Sequence, residues 1–170
     1  MLARAVKVKS KREIMRRTKN QAGFTILELM GVIMIMGVLT ALVLPTVRVN
    51  AVRAKMSEAI MAFGPCRNMI TEVYLSGGSS PGPGQWGCEI DKDASQYVDS
   101  VTTTVEGKIR VTLQGFNDGR LNTKDLTLTP LDNTGTPMDG TEGTVRSWRC
   151  GSALDGTDVP PQYLPSSCRG

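Results

Sequence analysis

Residues 24–47 read FTILELMGVIMIMGVLTALVLPTV, and KNQAG, residues 19–23, stands directly before them. The apolar run has 24 residues and one charge, Glu28. At about 1.5 Å per residue, a helix of that length crosses a bilayer core of roughly 30 Å. The run is too long for an ordinary secretory signal, whose apolar region spans about 7–15 residues and is followed by a small-residue cleavage site. Behind this run Val49-Asn50-Ala51 is the sole candidate for such a site, and a weak one. An ordinary membrane anchor accounts for the length but not for Glu28. A carboxylate in mid-membrane costs about 2.5–3.5 kcal/mol, somewhat less near an end.

Charge is distributed unevenly around the run. Residues 1–23 hold eight basic side chains against Glu13, a net of +7, while residues 24–170 hold 12 basic and 15 acidic ones, a net of −3. The basic isoelectric point therefore belongs to the leader. It does not indicate nucleic-acid binding, which needs positive charge on the working surface. Lysine and arginine beside an apolar segment stay on the cytoplasmic side, so the remainder of the chain is expected outside. There the four cysteines, Cys66, Cys88, Cys150 and Cys168, are free to form disulfides. Zinc is disfavoured, because the chain has no histidine and no Cys-x-x-Cys pair.

Residues 48–76 continue as an amphipathic helix. Val49, Val52, Met56, Ile60, Phe63, Ile70 and Val73 recur at helical spacing, with Arg53, Lys55, Glu58, Arg67 and Glu72 between them. Ser76-Gly77-Gly78 ends the helix. Pro65 removes a backbone hydrogen bond and crowds the carbonyl of Met61, which predicts a kink near Gly64-Pro65. Residues 77–170 change character. After a glycine- and proline-rich loop come four β-rich runs, Tyr97–Val105, Lys108–Gln114, Leu126–Thr129 and Val145–Cys150. In the second, Ile109, Val111 and Leu113 alternate with Lys108, Arg110 and Thr112, the period of a strand with one buried face. Glu106-Gly107 suits a hairpin turn. The proline-rich tail from Gly151 reads as irregular. The expected fold is α+β: a long N-terminal helix whose second half packs on an antiparallel sheet of about four strands. Its organisation is a leader 1–23, an apolar helix 24–47, an amphipathic helix 48–76 and a β-sheet head 77–170.

Four cysteines allow three pairings. Geometry predicts Cys66–Cys88, because the loop from Gly77 must return along the helix to reach the sheet. It predicts Cys150–Cys168 as the tie between the tail and the edge of the last strand. Trp86 and Trp148 read as packing residues. The basic set Lys108, Arg110, Arg120, Lys124, Arg146, Arg149 and Arg169 reads as a solvated face, since Asp118, Asp125 and Asp132 are interspersed.

On Gly23, Phe24 and Glu28 the chain resembles the type IV pilins, whose motif is a glycine, an aromatic N-terminal residue of the mature chain, and a glutamate four positions beyond it. Pro45 and the ending WRC…YLPSSCR, residues 148–169, add to the likeness, the ending resembling the disulfide-bounded C-terminal region of the type IVa group. The resemblance implies cleavage by a prepilin peptidase between Gly23 and Phe24 and N-methylation of Phe24. It implies an inner-membrane, single-pass precursor, handed by the membrane assembly machinery to a homopolymeric surface filament used in adhesion, twitching motility or DNA uptake. Phe24 and Glu28 would serve subunit assembly. Glu28 has three readings: it neutralises the Phe24 amine of a neighbouring subunit, it interacts with its own helix N-terminus, or it is a tolerated surface charge. Gly37 and Pro45 read either as the place where the helix loosens on assembly or as a simple proline kink.

Rival functions are weaker. Without histidine there is no Ser-His-Asp or Cys-His site, and no phosphate loop or metal motif is present, so neither an enzyme nor a cofactor is expected. A pseudopilin of a type II secretion system shares the leader, but its major forms carry a calcium-binding loop where this chain has Cys150 and Cys168. The Asp132–Asp139 stretch is poor in carboxylates for that role. A minor or tip pilin is the remaining alternative.

Overall fold

The computed structural model describes residues 23–140 and 143–170, so the expected leader, apart from Gly23, lies outside the described residues. The chain divides after Val43 into two compact units. Helix α1, Ile26–Met61, starts in the first. Thr25 caps it: the Glu28 amide donates to Thr25 Oγ1 at 3.3 Å, and the Leu29 amide to the Thr25 carbonyl at 3.2 Å. From Ile26 to Val43 no residue is buried.

In the second unit, Leu44–Gly170, α1 ends at Met61 and α2 runs from Phe63 to Leu75. The interruption falls at Ala62, earlier than the expected Gly64-Pro65. The reason is the reach of proline: its ring acts on the carbonyl four residues back, Met61, so the helix is disturbed one turn before Pro65 itself. At the far end the Gly78 amide donates to the Val73 carbonyl at 3.2 Å and the Gly77 amide to the Tyr74 carbonyl at 3.3 Å. With Gly77 at φ +70° this is a Schellman cap, which glycine allows without strain.

The sheet is antiparallel in the order β1-β2-β3-β4, with β1 Val98–Thr103, β2 Ile109–Leu113, β3 Asp125–Leu131 and β4 Ser147–Cys150. Ile109, Val111 and Leu113 are buried as their alternation requires. The β1–β2 connection is one residue longer than a Glu106-Gly107 turn. The Thr104 amide donates to the Lys108 carbonyl, the Gly107 amide to the Thr104 carbonyl, and Gly107 takes φ +76°. Pro130 is tolerated in β3 because β2 pairs only as far as Leu128. Its carbonyl, on the edge that β2 has left, accepts from the Met138 amide at 3.0 Å.

Met56, Ala59, Phe63, Cys66, Ile70 and Tyr74 supply the helical side of one core, and Val98, Val101, Ile109, Val111, Leu113, Leu126 and Leu128 the sheet side. The buried stripe thus includes Ala59, Cys66 and Tyr74, which apolar periodicity passed over, while Val52, Ile60 and Val73 lie at its margin. The tail is not irregular, contrary to expectation. It folds into three 3-10 turns, Ala153–Asp155, Pro161–Tyr163 and Ser166–Cys168. It covers the other face of β3, which is why five consecutive residues of that strand are buried.

Candidate functional site

Two regions carry the functional expectations. The first is the start of α1. Gly23 is exposed and Phe24 is 78% exposed. Glu28 is exposed in the first helical turn, where its charge suits the positive helix end, and among the described residues it makes no ion pair. Thr25 and Glu28 have the spacing of a capping box, T-x-x-E, a signal that sequence analysis overlooked. Gly37 has open space around it, and α1 passes through both Gly37 and Pro45 without a break. Beyond Glu28 the exposed side chains are almost all apolar, among them Leu29, Met30, Ile33, Met34, Ile35, Leu39 and Leu42. The arrangement is an exposed apolar helix surface with one anionic position near its start.

The second region is the pair of corners that cysteines close. The structure joins Cys66 to Cys88, with Cα atoms 5.0 Å apart, and Cys150 to Cys168, at 4.5 Å. Beside the first bond, Trp86 is buried and donates from Nε1 to the Thr104 carbonyl at 2.9 Å, and the Tyr74 hydroxyl donates to the Glu106 carbonyl at 3.1 Å. The Glu89 carboxylate gathers the loop, accepting from the Trp86 and Cys88 amides at 2.9 and 3.0 Å and from the Thr103 hydroxyl. Burial alone would raise the Glu89 pKa, but these hydrogen bonds outweigh it and hold the group below the usual carboxylate range.

Around the second bond, Arg149 on β4 donates to Asp155 from Nε at 2.8 Å and Nη2 at 2.7 Å. The hydrogen bond from Arg149 holds the Asp155 carboxyl below its ordinary pKa. Thr127 and Thr157 share a buried hydroxyl pair at 2.7 Å, and the Thr127 amide donates to Thr157 Oγ1 at 3.1 Å. Backbone bonds join Asp158 to Asp125, Gly151 to Thr127 and Gly170 to Cys150. The tail that its prolines mark as irregular is thus tied to β3 and β4 by a dense set of hydrogen bonds. Its tip is apolar and bare, with Leu154 92% exposed.

Of the basic set, Arg110 pairs with Asp125 at 3.0 Å, Arg120 with Asp118 at 3.4 Å and Arg149 with Asp155. Local carboxylates thus neutralise three members. Trp86 is buried and Trp148 half-buried, each packed against the core. The Asp132 carboxylate is occupied within its own turn, accepting from the Thr134 and Thr136 amides at 2.8 and 3.0 Å and from both hydroxyls at 2.7 and 2.8 Å. Those bonds, the Thr134 hydroxyl first, hold its pKa far below the usual range.

Comparison with known proteins agrees with this architecture. A family model described as pilin, bacterial filament, matches residues 52–169, and one for the prokaryotic N-terminal methylation motif matches residues 18–44. The fimbrial protein EcpC of Eikenella corrodens is 33% identical over 153 residues, covering 88% of this chain and 91% of that protein. A type IV major pilin protein PilE1 of Neisseria gonorrhoeae is 32% identical over 170 residues, covering 88% of this chain and 74% of that protein. A fimbrial protein of Pseudomonas aeruginosa is 27% identical over 158 residues, covering 88% and 97%.

Proposed function

As this chain belongs to the pilin family and is a structural subunit of a type IV pilus, we propose that it is made as a membrane-held precursor, cut between Gly23 and Phe24, and polymerised through its N-terminal helix. The observation that carries this reading is the 18-residue apolar stretch Ile26–Val43, of which no residue is buried within the chain. Leaving so much apolar surface in water is unfavourable by about 25 cal/mol per Å², so lipid or other copies must cover it.

A prepilin peptidase recognises Gly23, where the absence of a side chain lets a protease approach the backbone, and methylates the new Phe24 amine. In the filament, residues 24–47 form the core, 48–76 support the head, and 77–170 present it outward. Glu28 neutralises the Phe24 amine of a neighbouring copy. A carboxylate stranded in that apolar core would be costly, whereas a paired one recovers much of its desolvation cost and sets axial register. The assembly machinery of the inner membrane and other copies of the chain are its partners, and the cell surface is its destination. Mass spectrometry of sheared extracellular filaments tests the reading. The expected chain begins with N-methylated Phe24, and any other N-terminus overturns it.

A further inference from the structure

Arg48, Arg53 and Lys55 are the sole charged side chains between Glu28 and Glu58, and they follow the apolar run directly. Among the described residues none of them forms an ion pair. Arg53 donates from Nη2 to the Gln162 carbonyl at 2.8 Å, and its Nε is buried with no partner. The Lys55 ammonium stands 5.0 Å from the centre of the Tyr97 ring, and Arg48 is exposed.

Arg48, Val52 and Lys55 follow one another at four and three residues, so they share a face of α1. That face is one wall of an open groove of about 900 Å³, and Phe116–Gly119 with Tyr163 form the other. Val49, Val52, Phe116 and Tyr163 make it apolar. Among the described residues its one acid, Asp118, is engaged by Arg120 at 3.4 Å and by the Tyr163 hydroxyl at 3.5 Å. An apolar trough edged by two cations, neither of them in an ion pair among the described residues, fits an amphiphile with an anionic head.

The chain also dictates where such a ligand is met. Arg48 directly follows Val47, the last residue of the apolar run, the position at which a membrane-spanning segment meets the headgroup layer. A bilayer's headgroup layer is about 5–7 Å deep on each side. We infer that this groove holds an anionic phospholipid of the membrane that the precursor spans, with the phosphate between Arg48 and Lys55 and the first acyl carbons along Val49, Val52 and Phe116. This rests on the membrane-held precursor proposed above. Entry into a filament releases the bound lipid.

The test uses the full-length chain in neutral detergent, with native mass spectrometry of the phosphatidylglycerol and phosphatidylcholine it retains from an equimolar mixture. The expected result is one preferentially held phosphatidylglycerol. Arg48→Gln and Lys55→Gln should each weaken that preference about fivefold, and the pair together roughly 25-fold. The basic leader is the same in every variant, so its own attraction for anionic lipid cancels from the comparison. An unchanged preference in the double variant overturns the site. Equal binding of free glycerol phosphate overturns the lipid assignment, and loss of self-association with lipid binding intact assigns the face to a second copy instead. Flotation of the same chain with pure phosphatidylcholine vesicles separates the premise from the inference, since failure to float sinks the membrane-held precursor itself.

Discussion

Asp155 holds Arg149 through both carboxylate oxygens, at 2.8 and 2.7 Å, inside the loop that Cys150 and Cys168 close. The ion pair and the disulfide leave β4 from adjacent residues, so the tail is tied twice at one point. Asp155 is 7% exposed, and removing its charge strands the guanidinium beside a buried amide. Asp155→Asn should cost about 2–3 kcal/mol, less than a fully buried pair because the Arg149 side chain is 27% exposed. The pair also predicts acid sensitivity. Arg149 depresses the Asp155 pKa, so the stabilisation is complete above the unfolded value of about 3.9 and is lost as pH falls through the lower folded value. Urea titrations of the wild type below pH 4 should show a steeper acid decline than those of Asp155→Asn; parallel declines would refute the assignment.

Gly151 should resist substitution. It adopts φ +75°, and a Cβ there would run into the Cys168 carbonyl oxygen. Gly151→Ala therefore combines left-handed strain of about 1–2 kcal/mol with a backbone clash that the disulfide prevents from relaxing. Thermal melts should place it well below Gly64→Ala in stability, because Gly64 has open space around it. Equal melting of the two variants would show that the tail yields at Cys168.

The readable part of this chain was the part governed by period. Ile109, Val111 and Leu113 announced β2 because one face alternates, and the glycines after Ser76 announced the end of α2 because a left-handed cap requires them. What stayed hidden depends on tertiary pairing. Asp155 in GSALDG carries no local mark of its partner Arg149, and Thr127 looks like any β-branched strand residue until Thr157 folds over it. The buried stripe was read incompletely, without Ala59 and Cys66, small residues that fit where helix and sheet approach closely. Thr25 was legible as a cap by its distance from Glu28, but the stronger assembly reading of Glu28 obscured it.

Glu28 now has two testable roles on one helical turn. If it neutralises a neighbour's amine, Glu28→Ala should still enter the membrane and be cut, yet build no filaments by electron microscopy of sheared fractions. Thr25→Ala removes the cap, worth about 1 kcal/mol, and leaves the carboxylate in place. That variant should retain filaments. Normal piliation by Glu28→Ala, expressed as the sole copy, would leave the helix N-terminus as the residue's whole purpose.

The two disulfides should differ in what their loss releases. Their sequence separations, 22 and 18, are similar, so loop entropy assigns each about 3 kcal/mol. The surroundings differ. Cys66 is fully buried among the residues that join α2 to the sheet, while Cys150–Cys168 lies beside the Arg149–Asp155 pair and the Thr127–Thr157 bonds. Cys66→Ser with Cys88→Ser leaves two hydroxyls near the core and should lower global stability by more than the loop term. Cys150→Ser with Cys168→Ser should cost about that term and leave the tail in place, since the amides of Gly151 and Asp158 keep their acceptors on β3. Hydrogen exchange of those two amides decides the matter. Protection should survive loss of the second disulfide and collapse when Asp155→Asn is added. Collapse from the disulfide loss alone would mean that the covalent bond, and not the hydrogen-bonded base, holds the C-terminal region to the sheet.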